Sequence, residues 1–116
     1  MKEQLSEILQ NFLQVSTSGS CITAWEQGNQ QQIWFQLTSD NMLNLALPIK
    51  KSWFQSLETV LAPLLDGMTI LDYRSKRYIT LDVTEQSLEQ ICDYLVVYFE
   101  YFFGDNLIFL WKFEEI

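Results

Sequence analysis

The groups able to do chemistry in this 116-residue chain are two cysteines, Cys21 and Cys92, and fifteen Asp and Glu side chains; there is no histidine. Without histidine the chain supplies neither a Ser-His-Asp nor a Cys-His pair, and it lacks the commonest side-chain ligand of transition metals. Two cysteines far apart are too few for a disulfide framework, and their spacing fits neither a zinc knuckle nor a CxxC redox pair. Cys21 stands beside Ile22 and Cys92 beside Ile91, so both read as buried free thiols. Carboxylate chemistry needs two acids that converge. Glu114 and Glu115 point to different sides of any regular element, and Asp66, Asp72 and Asp82 fall at turn or strand positions where solvated carboxylates are ordinary. No GxGxxG, Walker A, HExxH or EF-hand pattern occurs. The sequence therefore predicts no enzyme, no metal and no cofactor.

Composition sets the remaining bounds. Hydrophobic residues make up 48% of the chain, too many for a disordered segment, and the length suits one domain over residues 1–116. The formal charge of -8 argues against nucleic acid, because phosphate contacts need a basic footprint. Acidity is uneven, with net -3 over residues 1–49, +1 over 50–83 and -6 over 84–116. No apolar run is long enough to span a bilayer, so no membrane role is expected. Met1-Lys2-Glu3-Gln4 opens a polar, periodic segment rather than a signal peptide, and a cytoplasmic location is the expectation.

The elements follow from periodicity. Leu5, Ile8, Leu9, Phe12 and Leu13 have the spacing of one helical stripe, which Ser16-Thr17-Ser18-Gly19-Ser20 should end. Three strands are expected next: Cys21 to Gln27, then Ile33 to Leu37 after a polar turn including Gln30-Gln31-Gln32, then Leu43 to Leu47. Short turns between them predict an antiparallel meander. Ser52 and Gln55 resemble a capping box, and the pattern beyond predicts a helix over about 51–62, limited by Pro63. Met68 to Tyr73 and Tyr78 to Val83 read as a hairpin whose tip, Arg74-Ser75-Lys76-Arg77, holds three of seven basic residues. Thr84 is expected to cap a last helix that ends at Gly104. Leu107 to Phe113 is apolar on both faces and should lie inside a sheet or be covered on both sides. The expected fold is α+β: a twisted, mainly antiparallel sheet of five to six strands with three helices, in the order α-βββ-α-ββ-α-β.

The last helix carries the most information. Leu88, Ile91, Cys92, Leu95, Val96, Phe99, Phe102 and Phe103 share one wide face, enough to seat it on a sheet. A second set, Tyr94, Val97, Tyr98 and Tyr101, recurs along its flank. Either the flank packs against the same chain, or it is a surface for another protein or a second copy, since Tyr offers much contact area with few rotatable bonds. Trp34 alternates with Phe35, so one of the two must face away from the main core. Trp25 and Trp34 fall in consecutive strands and suit one sheet face.

A small acidic domain with the element order α-βββ-α-ββ-α, here over residues 1–103, resembles the type III secretion chaperone-like fold. The resemblance implies a non-enzymatic, often dimeric protein that presents apolar patches to an extended segment of a partner. The final strand, Leu107 to Phe113, is additional to that pattern. The functional expectation is a protein-binding module of chaperone or adaptor type, with Tyr94, Val97, Tyr98, Tyr101 and Trp34 as its contact residues. Two rivals are an inhibitor or immunity-type protein whose acidic third blocks a basic site, and a small-ligand domain with an aromatic-lined pocket between sheet and helix.

Overall fold

Leu5, Ile8, Leu9 and Phe12 share the inward face of the first helix, α1 (Lys2–Val15), and none is more than 7% exposed. Leu13, the fifth residue of the expected stripe, instead stands 64% exposed. The computed structural model describes residues 1–15, 19–47, 68–74, 76–104 and 106–115. After α1 come β1 (Ser20–Glu26), β2 (Asn29–Thr38), β3 (Met42–Ala46), β4 (Thr69–Arg74), β5 (Tyr78–Asp82), α2 (Leu88–Phe103) and β6 (Phe109–Glu115). The fold is α+β, with two helices among the described residues. The third expected helix, over 51–62, lies outside them. No helix among the described residues is long and apolar enough to cross a membrane.

The six strands form one antiparallel sheet in the order β4-β5-β3-β2-β1-β6. Its register explains the alternation in the sequence. One row across the sheet reads Phe113, Ile22, Leu37, Leu43, Leu81, Ile70, and the next reads Trp111, Ala24, Phe35, Leu45, Ile79, Tyr73. The members of these rows on β1, β2, β3 and β5 are all buried, in one cluster with the apolar faces of both helices. Burying a large aliphatic or aromatic side chain contributes about 1.5–3 kcal/mol, so these central strands hold the core.

Several details differ from the sequence reading. Gln30, Gln31 and Gln32 belong to β2, not to a turn, because β2 starts at Asn29. Thr84 does not cap α2. Its amide (3.0 Å) and its hydroxyl (2.5 Å) both donate to Asp82, and these bonds hold the Asp82 carboxyl below its usual range. The cap is Ser87, whose hydroxyl accepts from the Gln90 amide at 3.1 Å while the Gln90 side chain accepts from the Ser87 amide at 2.8 Å. This reciprocal box satisfies donors that the first turn leaves free. At the other end Gly104, at φ 78°, donates to the Glu100 carbonyl, a conformation that favours glycine.

The largest difference is β6. Apolar residues on both of its faces predict a strand inside the sheet or covered on both sides, yet among the described residues β6 is the outermost strand and pairs only with β1. Ile108, just before it, is 58% exposed, and Leu110 and Trp111 within it are 44% and 39% exposed. Periodicity reports which side chains favour burial. It carries no information on which strand lies next door.

Candidate interaction surface

The aromatic flank of α2 divides in two. Tyr94 and Tyr98 are enclosed, at 1% and 0% exposure, so they belong to the core and not to a contact surface. They lie four residues apart on the helix face that also buries Ile91 and Leu95, and all four belong to the one core cluster. The Tyr98 hydroxyl donates to the Ala46 carbonyl at the end of β3, 2.5 Å away. Burial pushes both phenols well above their ordinary range, so both stay protonated. Replacing Tyr98 with phenylalanine is expected to cost about 1–3 kcal/mol, because the Ala46 carbonyl loses a donor that water is poorly placed to replace. Urea unfolding measures this, and a loss below about 0.5 kcal/mol would mean the carbonyl has another donor. Val97 is half-buried, and Tyr101 is 45% exposed on the last turn of α2.

Trp34 lies on the sheet face opposite the helices. It stands directly across from Trp25, which in turn stands across from Leu110 of β6. Trp25 and Trp34 are half-buried, so the strip Leu110-Trp25-Trp34 becomes more open toward the β6 edge. Beside it runs a polar row. The Thr80 hydroxyl donates to Asn44 at 2.8 Å, the Asn44 amide to Gln36 at 3.0 Å, and the Gln36 amide to Thr23 at 3.3 Å. Each amide in this chain is engaged with a neighbour across the strands, which fixes the register on a face that lacks a continuous apolar pattern.

The β6 edge itself was not legible in the sequence. The Gln27 amide donates to the Ile108 carbonyl, so Ile108, Leu110, Lys112 and Glu114 turn their backbone groups toward β1, while Phe109, Trp111, Phe113 and Glu115 turn theirs outward. At Phe109 both outward groups are taken by one side chain of α1. The Gln4 amide donates to the Phe109 carbonyl at 2.6 Å, and the Gln4 carbonyl accepts from the Phe109 amide at 2.9 Å. Gln4 thus imitates one residue of a neighbouring strand. Past it, the outward groups of Trp111 and Phe113 have no partner among the described residues. No sequence signal pointed to Gln4, one of several polar residues on α1.

Neither cysteine is a candidate nucleophile. Both are buried and unpaired, and burial pushes each thiol up, with Glu114 adding to this at Cys21 and Asp93 at Cys92. Among the described residues no group of three or more Cys, Asp or Glu side chains is arranged to hold a metal ion. Two open depressions, of about 190 Å³ beside Ala46, Leu47 and Arg77 and about 250 Å³ beside Lys2, Leu9 and Cys92, have no aromatic lining among the described residues. Neither is the aromatic pocket of the small-ligand alternative. A scan against protein-family models and searches of curated proteins and of solved structures find nothing that matches this chain.

Proposed function

We propose that this is a non-enzymatic protein-binding module of chaperone or adaptor type, which buries apolar partner surface along the β6 margin. One observation carries the reading. Leu110 and Trp111 of β6, and Ile108 just before it, are exposed, and the outward backbone groups of Trp111 and Phe113 have no partner among the described residues. A flat, apolar, open edge is an aggregation hazard in an isolated protein and a docking feature where extended segments add to a sheet. Trp34 and Trp25 extend the same surface onto the helix-free face, and Tyr101 stands on the turn of α2 that leads toward β6. Of the five contact residues expected from the sequence, Trp34, Val97 and Tyr101 remain available to a partner. The protonated, buried thiols support the absence of catalysis.

The test compares proteins retained by the tagged chain with those retained by Leu110→Glu, using Lys76→Glu at the far side of the sheet as control. Leu110 is 44% exposed, so a charge there leaves the core intact but places an unpaired carboxylate in a dry contact. Leu110→Glu is expected to lose the partners that wild type and Lys76→Glu both keep. Identical sets from all three proteins would refute the reading. Retention that 0.5 M salt abolishes in the wild type, at about three times the ionic strength of physiological solution, would point instead to the inhibitor alternative.

A further inference from the structure

We propose that the open β6 edge is completed by the β6 edge of a second copy, running antiparallel, with Phe113 opposite Phe113. The proposal rests on the reading of the β6 margin as a protein contact, and commits that contact to self-association.

Three observations choose the occupant and the register. First, Gln4 occupies the outward groups of Phe109, so among the described residues the open edge begins at Trp111. A two-fold axis normal to the sheet, passing beside Phe113, sets Trp111 opposite Glu115 and Phe113 opposite itself. Every outward N–H from Trp111 to Glu115 then meets an outward C=O, and Phe109 is left to Gln4. An axis at Lys112 or at Trp111 would instead call on the Phe109 groups already taken.

Second, the charges agree with that register alone. Lys112 and Glu114 lie on the helix-free face and already form an ion pair within the strand, at 2.6 Å. Centred on Phe113, Lys112 stands opposite Glu114 of the second copy and Glu114 opposite its Lys112, so each charge has an opposite one both along and across the strands. Centred on Lys112, the two lysines would face each other.

Third, the other edge of the sheet is unsuited to pairing. The β4–β5 register is broken between Ile70 and Asp72. A bulge is a common way of blunting an edge. By contrast β6 pairs with β1 through seven consecutive residues without a shift.

The symmetry also places both helix layers on one side of the joined sheet. The α1 helix begins beside Phe109, where Gln4 binds, and the chain enters the sheet at Ser20, opposite Glu115.

Charge reversal tests the register. By sedimentation equilibrium the wild type is expected to dimerise at micromolar concentration. Lys112→Glu alone faces carboxylate with carboxylate, and Glu114→Lys alone faces ammonium with ammonium, so each is expected to weaken dimerisation by about tenfold or more, as two like-charge pairs replace two favourable ones. Mixed in equal amounts, the two variants are expected to form a heterodimer of near wild-type affinity, because every cross-strand pair is again opposite in sign. A misfolded variant would not be rescued this way. Three results would overturn the proposal: a monomeric wild type, single variants that dimerise like wild type, or open-ended polymers, which would indicate head-to-tail pairing of β6 with β4. A monomer whose Leu110→Glu variant still loses its partners would remove the dimer and keep the adaptor reading. The expected charge pattern with unchanged partner retention would keep the dimer and remove the adaptor.

Discussion

Phe99→Ala is expected to destabilise the domain by about 3–5 kcal/mol, a large part of the roughly 5–15 kcal/mol that folded domains possess. Phe99 is fully buried and joins three elements. Its ring lies 6.2 Å from Phe35 of β2, 5.1 Å from Phe109 of β6 and 5.5 Å from Tyr98, the last edge-on at 90°. Phe35 and Phe109 are themselves in contact at 5.9 Å. Truncation removes the apex of this triangle and leaves a void bounded by rigid rings on a helix and two strands, which have little freedom to collapse into it. Chemical denaturation should show a lower midpoint with little change in slope. Hydrogen exchange should show its largest local increase at the amides linking β6 to β1, because Phe109 is the buried anchor of β6. A cost under about 1 kcal/mol would mean that the rings repack, and that this cluster does not hold the outer strand.

The second large effect is expected from Gln4→Ala, at about 2–4 kcal/mol, since two backbone groups of a buried residue lose their partners together. Gln4 and Phe109 lie 105 positions apart in the chain, so this side chain also ties the start of the fold to its outermost strand. The variant has a consequence beyond stability. Freeing Phe109 lengthens the open edge by one pairing position, and the single register favoured by the Phe113-centred dimer gains a competitor. Gln4→Ala should therefore unfold at lower denaturant and show broader, less specific self-association by sedimentation. Gln4→Glu retains the acceptor but lacks the donor, and is expected to fall between the two. Equal stability of Gln4→Ala and wild type would show that water replaces the amide at no cost, and the edge would then be open from Phe109 onward.

Much of the fold was readable because its determinants are local. The apolar stripe of α1 and the alternation in β1, β2, β3 and β5 each state within a few residues which side chains are to be dried. The helix ends were only partly read: Gly104 ends α2 as its position suggests, but the Ser87–Gln90 box, with the residue types and spacing of an N-terminal cap, starts it later than Thr84 would. The candidate site was legible only in part. Tyr94, Val97, Tyr98 and Tyr101 look equivalent on a helical projection, yet Tyr98 reaches the Ala46 carbonyl while Tyr101 remains open.

By itself, then, the sequence determined the element types of the described residues, the antiparallel meander and the identity of most core residues among them, because local spacing decides which faces must leave water. The tertiary structure alone decided that β6 stands at the margin of the described sheet, that Gln4 covers one step of its edge, that Trp111 and Phe113 leave theirs open among the described residues, and which tyrosines are enclosed. These depend on which distant segments become neighbours. Pairing between residues a hundred positions apart is set by the sum of packing over the whole sheet, and no local pattern records it.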